Sequence, residues 1–384
     1  MSAWDRIEAL GKAQQAYEAI RKQALQRFGP RLCDFGYANA HDGPPAHVMQ
    51  SLRDTVEDDR ALGLQYTPYG GATLTRRIVG QDLSKKTGLR FRFRQIVMTP
   101  GAMSALNLLL RTVVDGDRDE VLVIRPCWLD TPLYIENLGL KTRFVDLDEN
   151  FDLDLDAIRA ALTPKTGAVV LSQPANPTGR VYSAKALEAL SQVLKDAGEP
   201  LLISDECHRD IYWGEQPATP ATFYPRTCIA YSFGKRFFIQ GQRIGYAAVP
   251  PDFPDAEAFC EKLVLLMRVM GFCTPSALMQ RAVVKMLGEE PDLEFIAARK
   301  RRVFSELGER YGLVPSEATF FTYGRTLGRD DFEFTQALAD RGVLVLPSAM
   351  FHHTGHFRMS LTVSDEMFDR GIEILAELGN ELGS

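Results

Sequence analysis

The chain has 384 residues, which is too long for one ordinary hydrophobic core, so a large domain with a smaller one is expected. Apolar residues make up 45% of the sequence and charged residues 24%, the composition of a soluble globular protein. The formal net charge is −6 and no block of Lys or Arg occurs, so binding to the phosphate backbone of a nucleic acid is not expected.

The cysteines are scattered and form no CxxC pair, so neither a zinc site nor a disulfide framework is indicated. They are Cys33, Cys127, Cys207, Cys228, Cys260 and Cys273. Such usage is typical of a reducing compartment. No apolar stretch has the length of a membrane span, and the N-terminal residues lack the apolar run of a signal sequence. We therefore expect a cytoplasmic protein without a membrane partner.

The first predicted element is a helix over residues 3–27. Trp4, Ile7 and Leu10 begin an apolar series at helical spacing, and Gly29-Pro30 ends it. The segment is too short to form a domain. We expect it to pack on the small domain or on a partner subunit.

From about residue 95, short apolar runs alternate with helical stretches such as 102–114 and 183–196. The runs are residues 95–98, 120–124, 142–147, 167–171, 200–204, 227–231 and 244–249. Several are continuously apolar, as expected for strands covered on both faces. The pattern predicts an α/β fold with a mainly parallel sheet, in which ligands bind at the carboxyl ends of the strands.

After about residue 255 the sequence is helical through 311. Short runs at 313–316, 319–324, 343–348 and 357–362 then precede a closing helix at 365–380. This pattern predicts a small α+β domain. The predicted organisation is an N-terminal segment (1–44) joining the small domain, a large domain (45–280) and a small C-terminal domain (281–384).

The segment that follows the run at 227–231 carries Ser232, Lys235, Arg243 and Gly245 in an S-x-x-K-x7-R-x-G arrangement. A lysine at the end of a buried strand is unusual, because an unpaired ammonium group is costly to bury, whereas a Schiff base removes the charge. Taken alone, Lys235 is equally compatible with a solvated surface turn. Arg243 has a permanently charged fork of donors that suits phosphate oxygens.

Two polar segments follow the preceding strands. Asp205 ends the run 200–204, where a carboxylate acts either as a helix cap or as a partner for a cationic ligand atom. Asn176 begins the tetrapeptide Asn-Pro-Thr-Gly, which by itself is a turn. His208 lies three residues after Asp205.

Further candidates lie upstream. Gly101, Ala102 and Met103 stand at a predicted strand-to-helix turn, where backbone N–H groups can bind an anion. Trp128 follows the run 120–124 and could stack on a ring or lie in the core. Tyr66 belongs to the segment YTPYGGATLTRR.

In the predicted small domain, Arg358 lies on a strand with Phe357 and Met359. It is either a surface side chain or a bidentate partner for a carboxylate.

Seven segments, from Tyr66 to Arg358, resemble those of the class I and II aminotransferases, pyridoxal 5'-phosphate enzymes of fold type I, in the order of that family. The resemblance implies that Lys235 carries the cofactor as a Schiff base and that Asp205 holds the pyridine nitrogen protonated. It assigns the cofactor phosphate to Ser232, Arg243 and the turn at Gly101, Ala102 and Met103. Each segment taken alone also has a purely structural explanation, such as a turn, a helix cap or a core side chain. Chance does not explain why all seven segments occur in the order of the family.

By the same resemblance, Trp128 stacks on the pyridine ring and Asn176 bonds the phenolic oxygen. Arg358 binds the substrate α-carboxylate, with Asn176 and Tyr37 at the substrate. Tyr66 reaches the phosphate of a neighbouring subunit, so the enzyme is expected to be a homodimer. The implied reaction transfers the α-amino group of an L-amino acid to a 2-oxo acid.

The chain departs from the family pattern at His208, where D-x-x-Y has tyrosine. His208 could still donate to the phenolic oxygen of the cofactor. Because carbon-sulfur β-lyases often carry a D-E-x-H segment here, elimination stays open, as does a cyclase or oxidase of specialised amino-acid metabolism. A transcription regulator with this fold needs a DNA-binding domain that the N-terminal segment cannot supply.

The sequence offers several candidates for the residues that surround the substrate side chain. Segment 37–41, Tyr69, Gly70 and the loop HHTGH are candidates. The loop contains His352, His353 and His356, which lack acidic or cysteine companions, so a polar or substrate-lining loop is favoured over a metal site.

Overall fold

A computed structural model describes residues 3–114, 116–271 and 274–382. Its strands, in chain order, are β1 Cys33–Asp34, β2 Ile96–Thr99, β3 Glu120–Arg125, β4 Lys141–Asp146, β5 Thr166–Ser172, β6 Leu201–Asp205, β7 Thr227–Ser232, β8 Gly245–Ala248, β9 Phe321–Arg325, β10 Val343–Leu344, β11 Leu346–Pro347 and β12 His356–Ser360.

The α-helices are α1 Ala3–Phe28, α2 Ala46–Glu57, α3 Thr73–Thr87, α4 Ala102–Leu110, α5 Thr131–Asn137, α6 Leu155–Ala161, α7 Ala184–Asp196, α8 Phe233–Arg236, α9 Ala256–Met270, α10 Ala277–Met286, α11 Glu294–Tyr311, α12 Asp331–Ala339 and α13 Asp365–Leu382. Among the residues that the structure describes, no helix is both long and apolar enough to cross a membrane.

All seven apolar runs predicted between residues 95 and 249 form strands of one sheet, in the order β2-β8-β7-β6-β5-β3-β4. Every pair from β7 to β4 is parallel, whereas β8 runs antiparallel to both β2 and β7. The mainly parallel sheet is therefore confirmed. All six residues of β7 are buried, because α4 covers one face of this strand and α3 and α10 cover the other.

The C-terminal part contains a three-stranded antiparallel sheet in the order β11-β12-β9, packed with α11, α12 and α13. The closing helix predicted at 365–380 is confirmed. The strand expected at 313–316 is wrong: α11 ends at Gly312, which has a φ of 52°, and the run contains Pro315, which has no N–H to donate to a neighbouring strand.

The N-terminal helix lies between the two parts of the molecule. It packs against α5 beside the large sheet and against α12 of the C-terminal part. Arg6 Nε lies 2.5 Å from Glu136 Oε2 on α5. After the helix, β1 pairs in parallel with β10, and Cys33 and Phe35 join the C-terminal core.

The division into residues 1–44, 45–280 and 281–384 stays a prediction, and α10 lies across its second boundary. Met279, Val283 and Met286 of this helix pack with Met98 and Tyr231 of the large sheet. We propose that the boundary lies after α10, because a division inside this helix would separate side chains that share one core.

Candidate active site

The predicted site residues converge at the carboxyl ends of the parallel strands, where loops and helix N-termini meet. Asp205 ends β6, Lys235 follows β7 and Asn176 follows β5. They line a cavity of about 260 Å³. Its lining residues are Tyr37, Ala38, Asn39, Ala102, Met103, Leu106, Trp128, Asn176, Asp205, Cys207, His208, Ser232, Lys235, Gln240, Arg243, Phe321 and Arg358.

Lys235 is placed by the short helix α8, which begins directly after β7. Ser232 caps this helix, since its hydroxyl accepts a hydrogen bond from Gly234 N over 3.3 Å. The neighbouring Arg236 points elsewhere and is almost fully buried, with its guanidinium 3.3 Å from Asp82 and 3.8 Å from Asp210. These ion pairs fix α8 from the side opposite the cavity.

The ammonium group of Lys235 lies 5.6 Å from the centroid of the Phe320 ring. Burial, with the charges of Arg358 and Arg243, lowers the pKa of Lys235 to about 8, against the opposing effects of Cys207 and Asp205. A substantial fraction of the lysine is therefore uncharged near neutral to slightly alkaline pH. An uncharged amine is the form that attacks a carbonyl group.

Asp205 faces the same cavity from the end of β6. Its Oδ1 accepts a hydrogen bond from Cys207 N over 3.1 Å. Burial raises the pKa of Asp205, against the smaller opposing effects of Cys207 and Lys235. The carboxylate would therefore gain stability from a cationic ligand atom.

Arg358 lies on β12 with 1% of its surface exposed. Its Nη1 donates to Asn176 Oδ1 over 2.9 Å, and its Nη2 donates to Gly36 O over 2.8 Å. The guanidinium is sandwiched by two rings, 4.0 Å from the centroid of Phe321 and 4.8 Å from that of Phe351. Burial lowers the pKa of Arg358 to about 9, so the group gains from an anionic ligand.

The turn before α4 approaches Arg243 very closely. Gly101 has a φ of 80°, and a Cβ atom at this position would lie 2.6 Å from Arg243 Nη2. Gly245 packs on the same turn, where its Cβ would lie 2.9 Å from Gly101 Cα. Both positions require glycine, and the N-terminus of α4 thus meets the arginine at one edge of the cavity.

His208 is buried between two aromatic rings. It makes edge contacts with Phe320 and Phe321 at centroid distances of 5.5 and 5.2 Å. Burial and the nearby charges of Lys235 and Arg358 hold the pKa of His208 well below its usual value, so the imidazole is neutral. Its Nε2 has no hydrogen-bond partner among the described residues.

Tyr37 closes the end of the cavity nearest α1. Its hydroxyl donates to Glu18 Oε1 over 2.5 Å, and the Arg21 guanidinium lies 5.5 Å from its ring centroid. Arg21 Nε in turn lies 3.2 Å from Asp34 Oδ2. Ala38 and Asn39, from the expected segment 37–41, also line the cavity.

Several candidates lie outside this cavity. The side chain of Tyr66 is fully exposed. Tyr69 stacks under Arg268 at 4.8 Å, and Gly70 O accepts a hydrogen bond from Met98 N. Neither of the last two lines the cavity of its own chain.

The loop 352–356 also lies apart from the cavity, contrary to the expectation that it lines the substrate pocket. His353 and His356 line a different cleft, beside Asp146 and Arg325. His352 stacks on Phe144 at 5.2 Å. Within the residues that the structure describes, no group of His, Cys, Asp and Glu is arranged to hold a metal ion.

The sequence interpretation missed four lining residues. Leu106 lies one helical turn after Met103, so helical spacing could have indicated it. Cys207 lies two residues after Asp205 on the same loop, and Gln240 lies in the turn between Lys235 and Arg243. Phe321 comes from β9 and had no local signal, because only the pairing of β9 with β12 brings it to the site.

The residues of the cavity fit pyridoxal phosphate. Because Gly101 has no side chain, the guanidinium of Arg243 lies directly against the turn at the N-terminus of α4, so the arginine and the backbone N–H groups can bind the same phosphate. The buried Nε2 of His208 lacks a partner within the part of the chain that the structure describes, and Asp205 would be stabilised by a protonated ring nitrogen. Lys235 lies between these groups with a lowered pKa.

The chain is similar to known proteins over nearly its whole length. The sequence model of the family "Aminotransferase class I and II" matches residues 33–375. The chain is 26% identical to the aspartate/prephenate aminotransferase of Thermus thermophilus over 97% of each chain. It is 24% identical to the probable aspartate aminotransferase of Methanocaldococcus jannaschii, over 87% of this chain and 90% of the relative.

Solved structures match over similar lengths. A mutant of Thermus thermophilus aspartate aminotransferase superposes with a TM-score of 0.84 at 25% identity, covering 94% of this chain and 96% of the other. An amino transferase from Eubacterium rectale has a TM-score of 0.88 at 24% identity, covering 97% and 96%. The chain therefore belongs to the class I and II aminotransferases, whose cofactor is pyridoxal phosphate and whose substrates are amino acids and 2-oxo acids.

Proposed function

We propose that this aminotransferase takes the α-amino group of an L-amino acid whose carboxylate binds Arg358, and passes it to a 2-oxo acid by way of Lys235. The observation that carries the proposal is that Lys235, Asp205 and Arg358 line one cavity, with Arg358 held by Asn176 and Gly36. A covalent anchor, an electrostatic partner and a carboxylate receptor are the three groups that the reaction needs.

The cofactor phosphate would be held by Ser232, Arg243 and the backbone N–H groups of Gly101, Ala102 and Met103. This assignment is supported by the close approach of Gly101 to Arg243 and by the N-terminus of α4 at the same place.

The ring of the cofactor would lie between the remaining residues. Trp128 would stack on one face, and Asn176 and His208 would bond the phenolic oxygen. The neutral imidazole of His208 leaves a nitrogen without a protein partner, which supports this role. When bound, pyridoxal phosphate supplies a carbonyl group that condenses with amines and a ring that withdraws electrons from the substrate α-carbon.

Asp205 would keep a proton on the pyridine nitrogen. At the end of the buried strand, the carboxylate accepts hydrogen bonds from Cys207, through its backbone N–H and its thiol. The raised pKa of Asp205 means that the charged carboxylate is disfavoured until a cation lies beside it.

Lys235 would hold the cofactor covalently and, once displaced by the substrate amine, would move the proton of the substrate α-carbon. A general base works best when its pKa is close to the operating pH. The pKa of Lys235, lowered to about 8, meets this condition.

The substrate carboxylate would bind Arg358, with Asn176 and Tyr37 beside it. Arg358 uses one N–H of each terminal nitrogen on protein acceptors and retains donors for a ligand. A bidentate ion pair with a carboxylate would stabilise the charged guanidinium of Arg358, which burial disfavours.

We also propose that the active enzyme is a homodimer in which Tyr66 reaches the phosphate site of the neighbouring subunit. Tyr66 is fully exposed, and Leu62 and Leu64 on the same segment are more than two thirds exposed. Apolar side chains exposed next to one another are typical of a protein interface. A cytoplasmic location remains part of the proposal and is supported by the free cysteines of the described chain.

The proposed reaction is tested by mixing the holoenzyme with single L-amino acids in the absence of an acceptor. Transamination predicts about one equivalent of 2-oxo acid per active site without ammonia, followed by turnover when a second 2-oxo acid is added. Multiple equivalents of pyruvate and ammonia from a substrate with a leaving group at its β-carbon would contradict the proposal and indicate elimination.

A further inference from the structure

Tyr17 on α1 is a buried tyrosine with an unusual hydroxyl group. The side chain has 0% of its surface exposed, and its Oη has no hydrogen-bond partner among the described residues. A buried hydroxyl without a partner is destabilising, and most such groups in folded proteins are paired. A ligand that bonds this hydroxyl would remove the cost.

The hydroxyl points at the segment that holds Arg358. A Cβ atom on Gly36 would lie only 2.1 Å from Tyr17 Oη, so the hydroxyl occupies the space beside this glycine. The carbonyl of the same Gly36 accepts the hydrogen bond from Arg358 Nη2. The ring of Tyr17 also makes an edge contact, at 6.0 Å between centroids, with Tyr37 of the cavity wall.

Arg358 has unused donors in the same region. Its Nε is buried and has no hydrogen-bond partner among the described residues. Tyr17 belongs to the same buried cluster as Phe351, whose ring lies 4.8 Å from the guanidinium of Arg358. Two polar groups without partners among the described residues, the phenolic hydroxyl of Tyr17 and the Nε–H of Arg358, therefore lie next to the segment Gly36-Tyr37. Arg358 lines the cavity, and Tyr17 packs directly behind Tyr37 of its wall.

We propose that Tyr17 is a substrate-binding residue whose hydroxyl donates a hydrogen bond to the carboxylate that Arg358 binds. The inference rests on the proposed function, because it takes Arg358 as the carboxylate site. It makes α1 part of the active site, although this helix precedes residues 33–375, the region that the family model matches.

The chemistry of Tyr17 suits this role. Burial, with a smaller effect of Asp34, raises the pKa of Tyr17 well above its usual value, so the hydroxyl stays protonated and can donate. A hydrogen bond from a neutral hydroxyl to a carboxylate is stronger than one between neutral groups. The ligand class is the carboxylate shared by the amino acid and the 2-oxo acid, so the residue would serve both half-reactions.

Three variants test the inference: Tyr17→Phe, Arg358→Lys and the control Tyr224→Phe. Tyr224 is also a buried tyrosine, but its hydroxyl donates to Pro200 O over 2.7 Å, and it packs in the core beneath α7 instead of beside Gly36 and Arg358. The holoenzymes would be titrated with butyrate and with maleate, followed by the visible absorbance of the bound cofactor. KM and kcat for the amino acid and the 2-oxo acid, and Tm, would be measured in parallel.

For Tyr17→Phe we expect both carboxylates to bind about 10-fold to 100-fold more weakly, as for a lost hydrogen bond to a charged group. KM should rise for both substrates by a similar factor with little change in kcat, because the carboxylate contact is the same before and during the reaction. Tm should stay unchanged or rise, since the variant removes an unpaired hydroxyl. Tyr224→Phe should show the reverse, with a lower Tm and unchanged carboxylate binding.

Two results would overturn the inference, and they differ in what they say about Arg358. If Tyr17→Phe binds both carboxylates as wild type does while Arg358→Lys binds them weakly, Tyr17 only fills space and the proposed function stands. If neither variant weakens binding, the carboxylate does not lie at Arg358, and both proposals fail.

Discussion

Arg358 Nη1 and Asn176 Oδ1 lie 2.9 Å apart, a hydrogen bond that joins side chains separated by 182 positions in the sequence. One comes from a strand of the C-terminal sheet and the other from the loop after β5 of the large sheet. This hydrogen bond connects the proposed carboxylate site with the proposed site for the phenolic oxygen. A substitution of either residue should therefore change the position of the other.

This link predicts non-additive effects of Asn176→Ala and Arg358→Lys. Each single variant should lower kcat/KM by about 100-fold, roughly 3 kcal/mol, because each leaves a buried polar partner unpaired. The double variant should cost less than the sum, with a coupling energy of about 1 to 3 kcal/mol. Additive losses, such as we expect for Asn176→Ala combined with Tyr224→Phe, would contradict the link.

Lys235→Ala should abolish both turnover and the visible absorbance of the covalently held cofactor, because no other amine of the described residues lines the cavity. Absorbance spectra after dialysis and a turnover assay check this. Lys262→Ala removes an exposed lysine and should match wild type in both measurements. Persistent cofactor absorbance in the Lys235 variant would rule out the assignment.

The lowered pKa of Lys235 should also appear in the stability of the cofactor-free protein. Between pH 8 and about 10.5 the unfolded chain binds a proton at this lysine that the folded chain lacks. The free energy of unfolding should therefore rise with pH across this window, by at most about 3 kcal/mol, whereas below pH 8 the cost of the buried charge is fully present.

Lys235→Met provides the comparison for that experiment, since it lacks the titrating group but keeps a long side chain. Urea unfolding of both proteins at several pH values should show the wild-type stability rising relative to the variant from pH 7.5 to 10. Parallel curves over this range would mean that the lysine is not perturbed by burial.

A mixed dimer can establish which subunit Tyr66 serves. Chains carrying Tyr66→Phe and chains carrying Lys235→Ala, combined in one dimer, should form one native site, because the first chain supplies the lysine and the second supplies the tyrosine. We expect about half of the wild-type activity per dimer at limiting cofactor, well above either parent. Activity no higher than that of the Tyr66→Phe parent would place the tyrosine in its own site or in none.

The large sheet was predictable from the sequence because its strands coincide with short apolar runs. The inner strands of the large sheet, such as β7, are short apolar runs, because both of their faces are buried, whereas the edge strand β4 is interrupted by Arg143 and is partly exposed. The chemistry at the strand ends was equally visible, since Asp205 and Lys235 directly follow such runs.

What the sequence did not indicate depends on contacts between distant segments. Phe321 reaches the cavity through the pairing of β9 with β12, and Tyr17 reaches Gly36 through the packing of a helix that carries no motif. The loop 352–356 was predicted to line the substrate pocket for the same reason, because its residue types do not indicate which cleft the side chains face. Its rings instead pack on Phe144, Phe151 and Tyr323.

The reversed direction of β8 has a consequence for the spacing of the lysine motif. Because β7 runs toward the cavity and β8 runs away from it, the residues between them all stay at one edge of the sheet. Lys235 and Arg243 can therefore be only eight positions apart, whereas a parallel β8 would need a crossover of a dozen or more residues. The short interval between Lys235 and Arg243 thus follows from the antiparallel pairing of β7 and β8. An insertion in this interval would displace Lys235 or Arg243 while leaving both strands in place.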